Sequence, residues 1–209
     1  MFKTILENTT SEIIEKKSKF IANVFCVENE EQANIKIKEI KKKYFDARHN
    51  CFAFRVMENE KFIERFSDDG EPSGTAGAPM LNILQKNNLC NILVVVTRYF
   101  GGILLGTGGL VRAYSEACIQ AIQNSNKVDI FWGVEYEVKL EYGDLENFRY
   151  YCNKNNINMS NIQYSSRVIC NIEMKEDFKE IFLKDINNRN INVLESKFIK
   201  NKYITIALP

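Results

Sequence analysis

Eight of the ten glycines of this chain lie between Phe66 and Tyr114, together with two of the three prolines, Pro72 and Pro79. Glycine has no Cβ, so its backbone can approach a neighbour closely or turn through positive φ. Clustered this way, the glycines mark two loops. Residues 68–77 hold Gly70, Gly74 and Gly77; residues 101–109 hold Gly101, Gly102, Gly106, Gly108 and Gly109. Between the loops is the most apolar run of the chain, 92–96, which reads as a buried strand.

The second loop leads into a helix. From Leu110, apolar or small residues fall at Ala113, Tyr114, Ala117, Cys118, Ala121 and Ile122, the spacing of one buried face. Thr107 is the expected N-cap, with Gly108 and Gly109 in the first turn. The unit is therefore buried strand, glycine loop and helix N-terminus. Free N–H groups and the positive end of the helix dipole would face the loop. Arg98 leaves the strand just before it, and Arg112 sits in the first helical turn. This arrangement suits an anion. Close strand–helix packing explains the glycines equally well.

The first loop is acidic. Asp68, Asp69 and Glu71 suit Mg²⁺, an acid/base pair, or caps on neighbouring backbone N–H groups. Capping and turn formation is the preferred reading. Ser73 and Thr75 add hydroxyls suited to phosphate or sugar.

Composition narrows the partners. With a formal net charge of +1 over 209 residues, the chain is no polycation, and any nucleic-acid role rests on a local patch. No apolar run approaches a membrane span, and the first residues lack the apolar core of a signal peptide. A cytoplasmic protein with no membrane partner is expected. The six cysteines are scattered without a C-x-x-C, and His49 is the only histidine. No disulfide, metal or cofactor is expected, and no catalytic residue can be named from spacing.

The remaining pattern is α+β in two domains, 1–128 and 131–209. A strand over 16–27 follows a basic turn of Lys16 and Lys17, with Lys19 just beyond. A helix covers 29–44, and strands at 50–57 and 61–67 flank a turn at 58–60. A short helix covers 78–87. Arg48 and His49 stand at the mouth of a strand. Residues 124–129 read as a polar linker. Beyond it, strands at 134–142, 157–165, 167–174, 192–199 and 202–208 and helices at 144–154 and 176–188 give the βαββαβ order of a ferredoxin-like domain.

The segments NILVVVTRYFGGILLGTGGLVRAY and DDGEPSGTAG, with KKSKFIA and ARHNCFAF before them, resemble the IMPACT family in its bacterial, YigZ-type form. Many members of that family carry a lysine where this chain has Leu104. The resemblance implies an N-terminal α/β sandwich similar to the second domain of ribosomal small-subunit protein five. It also implies a C-terminal domain similar to the fifth domain of elongation factor G. Family members are linked to translation regulation, so the implied function is regulatory binding of RNA, the ribosome or a phosphate-bearing ligand, with a protein partner in translation control also open. Lys16, Lys17, Lys19, Arg98 and Arg112 would meet phosphates, and Tyr99 and Phe100 would stack on unpaired bases. Core packing is the preferred reading for Phe100. The alternative is an enzyme acting on a phosphorylated small molecule. There the loop 101–109 would hold the phosphate and Asp68 or Asp69 a Mg²⁺. No Walker-type G-K-[ST] supports it.

Overall fold

A computed structural model describes residues 2–58 and 61–205. The chain is mixed α+β and forms two compact units, which part between Val128 and Asp129.

The first unit contains β1 (Phe2–Ile5), β2 (Thr9–Glu15), β3 (Ser18–Cys26), α1 (Glu30–Lys43), β4 (His49–Glu58), β5 (Lys61–Ser67), α2 (Gly77–Lys86), β6 (Ile92–Tyr99) and α3 (Gly106–Gln123). Its sheet has the order β2-β3-β6-β4-β5, with every neighbouring pair antiparallel. Helices cover both faces. Ile92, Val94 and Val96 point toward Met80 and Leu84 of α2 and toward Tyr114, Ala117 and Ala121 of α3. Leu93 and Val95 point toward Ala33, Ile37 and Ile40 of α1. Central β6 is thus apolar without alternation because both of its faces are dry. Each such side chain contributes about 1.5–3 kcal/mol by burial.

Two strands, β1 and β2, were not expected from the sequence. The strand foreseen over 16–27 is β3, the second arm of a hairpin whose first arm is β2. The charges of TTSEIIEKK obscure that arm, because as an edge strand it needs only one apolar face. Of the turn expected at 58–60, Asn59 and Glu60 lie outside the described residues.

The second unit runs through β7 (Lys127–Leu140), α4 (Leu145–Lys154), β8 (Asn158–Tyr164), β9 (Val168–Lys175), α5 (Lys179–Asn187) and β10 (Glu195–Thr205). Its antiparallel strands lie in the order β10-β7-β9-β8. Val134, Tyr136, Val138 and Leu140 pack with Phe148, Cys152 and Phe182 of the two helices. The two units part inside the polar stretch 124–129, of which only residues 124–126 lie outside α3 and β7. Lys127 and Asp129 belong to β7 because strand residues alternate between faces. One expectation is corrected here. The two strands foreseen at 192–199 and 202–208 are one strand with a register shift between Phe198 and Lys200; residues 206–208 lie outside the described residues.

Candidate functional site

The acidic loop is held by its own carboxylates. Asp68 accepts backbone N–H bonds from Gly74 at 2.8 Å, Ala76 at 3.0 Å and Gly77 at 2.8 Å. It therefore supplies the side-chain acceptor at the start of α2, where Ala76 cannot. Asp69 adopts φ +44° and accepts from Lys41 Nζ at 2.6 Å and the Asn50 amide at 2.7 Å. Thr75 donates to the Pro72 carbonyl at 2.7 Å, while Ser73 stays exposed. These oxygens hold the turn together, which leaves the Mg²⁺ role raised for Asp68 and Asp69 without geometric support. Among the described residues, no group of three or more His, Cys, Asp or Glu side chains is arranged to hold a metal ion.

Glu71 turns inward to a buried ion pair. Arg98 Nη1 donates to Glu71 Oε1 at 2.8 Å, and the Tyr114 hydroxyl donates to the same oxygen at 2.8 Å. Ser18 Oγ lies 3.5 Å from Arg98 Nη2 and accepts from the Gly101 amide at 3.2 Å. The guanidinium lies 5.5 Å from the Phe20 ring centroid and 5.6 Å from that of Phe100. His49, across the β4–β6 ladder from Arg98, places Nε2 4.0 Å from Glu71 Oε1. Its Nδ1 is 2.9 Å from the Asp69 carbonyl, which can only accept, so Nδ1 carries a proton. Burial, then Cys51 and Glu71 nearby, push the Tyr114 phenol far above its ordinary range. Burial pushes the Cys51 thiol up to about 12. Every segment that carries the resemblance sends a side chain or amide into this cluster.

Arg98 thus has a role the sequence did not show. It was expected to edge the glycine loop facing a ligand; it is buried and paired inside the fold. Ser18 and Tyr114 were missed as members. The only sequence hints were Ser18 among lysines and Tyr114 on the buried helix face.

Other candidates meet at the surface. Lys16 and Lys17 form the two-residue turn joining β2 to β3, exposed and with φ of +44° and +65°. The left-handed region disfavours side chains with a Cβ by roughly 1–2 kcal/mol each, and hairpin turns of this kind usually take Asn-Gly. The glycine loop holds the turn in place. A Cβ on Gly101 would lie 2.0 Å from the Lys17 carbonyl carbon, so only glycine fits beneath it. Beyond it, α3 begins at Gly106, with Leu105 at the cap position and no side-chain cap. Thr107, expected as the N-cap, lies inside the first turn and is exposed. Leu105 keeps helical angles, and the helix starts at Gly106, two residues before the start that a Thr107 cap would give. Exposed Arg112 and half-buried Gly109 line a groove of about 480 Å³ with Lys16, Leu105, Glu15 and Glu116. Phe100, read as core, is 50% exposed, and Leu104 is 82% exposed. The strand ends at Tyr99, so Phe100 leaves the sheet before reaching the core.

Lys16, Gly109 and Arg112 therefore line one groove; Gly106, Thr107 and Gly108 are exposed in the first turn of α3, and Lys17 and Gly102 are exposed on the two loops. Other residues stand elsewhere. Lys19 is paired with Glu12 at 2.7 Å. Exposed Arg48 precedes β4. Tyr99 donates to Asp46 at 2.7 Å, and that bond is the main reason its phenol is pushed up to about 12.

A family model described as the Impact N-terminal domain matches residues 16–122. The IMPACT family member YvyE of Bacillus subtilis is 45% identical over 126 residues, which cover 60% of this chain and 58% of that protein. An IMPACT family member of Haemophilus influenzae is 36% identical over 179 residues, covering 84% of this chain and 85% of its own. The match to the first of these spans under two thirds of its length. A solved structure titled as that of a hypothetical protein is 30% identical and covers 95% of this chain and 97% of its own, with a TM-score of 0.64. Among the described residues, no helix is long and apolar enough to cross a membrane.

Proposed function

This chain belongs to the IMPACT family, and we propose that it regulates translation by binding RNA or the ribosome. The contact surface is the Lys16–Lys17 turn, Arg112 and the first amides of α3. One observation carries the reading. Two adjacent lysines hold a backbone conformation that glycine or asparagine would hold at lower cost, against a glycine that admits no Cβ. Such strain persists where the side chains serve a purpose besides folding. The lysine turn, Arg112 and an uncapped helix N-terminus together favour phosphate oxygens. Glu15 and Glu116 in the same groove limit the attraction to a few phosphates and disfavour indiscriminate polyanion binding.

The test is co-sedimentation with ribosomes across a salt series. Three cations predict a log–log slope of roughly −2 to −3, and removing one makes it shallower by about 1. Lys17→Gly is the informative variant, because it removes a cation while suiting φ +65°, so weaker binding cannot be attributed to a damaged turn. Unchanged ribosome binding by Lys17→Gly and by Arg112→Ala refutes the surface. Absence from the ribosomal fractions at low salt refutes the function.

A further inference from the structure

The second unit carries a groove of about 320 Å³ between α4 and residues 189–192, which follow α5. Hydrogen bonds fix how its two walls align. At one end Asn192 Nδ2 donates to Asp144 at 2.9 Å. Midway, Asp185 accepts from the Tyr151 hydroxyl at 2.7 Å and from Asn190 Nδ2 at 2.9 Å. The walls therefore run in opposite directions, which leaves Lys154 and Arg189 at the other end. Asp144 is the only carboxylate in the lining, and it is already engaged. Lys154 and Arg189 are exposed, and among the described residues neither side chain has an ion pair or a hydrogen bond. The Asn192 amide turns its nitrogen to a carboxylate, which can only accept, so its Oδ1 is left as an acceptor. Asn147, at the same end, has no side-chain partner among the described residues. Between the two ends the Tyr150 ring is 70% exposed, beside Tyr151, which stacks on buried Phe148 with 6.4 Å between ring centroids. Arg189 is also at odds with its backbone. Its N–H bonds the Ile186 carbonyl at 3.0 Å, and the Asn190 N–H bonds that of Asp185 at 2.9 Å. This helix ending usually takes glycine where Arg189 holds φ +58°. An arginine kept in glycine's place points to a use for its side chain.

We propose that this groove binds a nucleotide carrying an exocyclic amino group. The phosphate meets Lys154 and Arg189, the base lies on Tyr150, and the amino group donates to Asn192 Oδ1. The order of the groups selects the occupant. Carboxamides, an aromatic face and two free cations follow one another along α4, which rises about 10 Å from Asn147 to Lys154. An amino group, a flat ring and a phosphate follow one another over a similar length in a nucleotide. A carboxylate or inorganic phosphate would use the cationic end alone, and a base inside a duplex has no free face for Tyr150. The ligand is a free nucleoside monophosphate or an unpaired nucleotide of an RNA strand, which share this chemistry.

The probes are adenosine monophosphate, inosine monophosphate, inorganic phosphate and a short 5′-phosphorylated oligoadenylate, each titrated calorimetrically into the full chain. The expected Kd for adenosine monophosphate is below about 1 mM. Inosine monophosphate, which has the same shape without the amino group, binds about ten-fold more weakly or worse. Arg189→Gly weakens adenosine monophosphate binding about ten-fold or more. It does so without lowering the melting temperature, because glycine suits φ +58°. Tyr150→Ala, at an exposed ring, weakens binding about five-fold or more. Oligoadenylate bound about ten-fold or more tighter than the mononucleotide upholds the site and assigns it to RNA; a smaller gain upholds it for the free nucleotide. No binding of either adenylate up to about 5 mM overturns the proposal. Unchanged affinity in both variants overturns it too. So does inorganic phosphate or inosine monophosphate bound as tightly as adenosine monophosphate, since the base end would then read nothing. None of these readouts involves ribosomes, Lys17 or Arg112, so failure here leaves the ribosome-binding result untouched, and failure there leaves this site standing.

Discussion

Replacing Arg98 by methionine separates a structural role from a ligand contact. The guanidinium and the Glu71 carboxylate are 7% and 3% exposed at their side chains and 2.8 Å apart. Arg98→Met removes the charge and roughly keeps the volume. It leaves a buried carboxylate whose one remaining donor among these neighbours is the Tyr114 hydroxyl. Breaking such a pair from one side costs about 3–5 kcal/mol, against a total stability of roughly 5–15 kcal/mol. With a urea m-value near 2 kcal/mol/M, the unfolding midpoint falls by about 2 M. Adding Glu71→Leu removes the stranded charge and returns about 2–3 kcal/mol, more than half of the loss. The Tyr114 hydroxyl, left without its acceptor, accounts for most of the remainder, about 1–2 kcal/mol. Far-UV circular dichroism through a urea series measures all three proteins. A midpoint within about 0.3 M of wild type for Arg98→Met, together with loss of ribosome binding, would refute the reasoning and return Arg98 to the ligand surface.

The glycine loop and the acidic loop give further outcomes. Gly101→Ala forces a Cβ to within 2.0 Å of the Lys17 backbone and is expected to cost about 3 kcal/mol or more and to weaken ribosome binding. Gly102→Ala, at φ +85° but with nothing within 4 Å of its Cβ, costs only about 1 kcal/mol, so equal thermal shifts for the two would contradict the clamp. Asp68→Ala strands three amides at the start of α2 and lowers stability by about 2–3 kcal/mol, while Asp68→Asn loses about half of that; chemical denaturation distinguishes them. Of the six thiols, only Cys26 is exposed, so Ellman's reagent is expected to find one accessible group in the native protein. Burial holds Cys51, Cys118 and Cys152 up to about 12 and Cys90 and Cys170 up to about 11. The Cys26 thiol is itself raised above 9.0, chiefly by desolvation of its sulfur, so its rate keeps increasing as pH rises past 9. Rapid labelling of a second thiol without urea would show that a core opens more easily than its packing implies.

Much of this architecture follows from local pattern. The apolar run of β6 and the spacing of Leu110, Ala113, Tyr114 and Ala117 place a buried strand beside a buried helix face. The strand and helix order beyond residue 131 could be read the same way. These features rest on periodicity, which neighbouring residues in the chain express directly. The fate of the charges could not be read so. Arg98 and Glu71 look like ligand-binding residues in a glycine-rich motif, and only the β4–β6 register and the fold of the acidic loop bring them together in the core. Lys16 and Lys17 look like an ordinary basic run until the hairpin places both at positive φ beneath Gly101. Chain pattern determines which face of an element is dry, since that is a property of near neighbours. Which charge meets which, and which strand is left at an edge, depends on contacts between residues tens of positions apart, and those exist only once the sheet has formed.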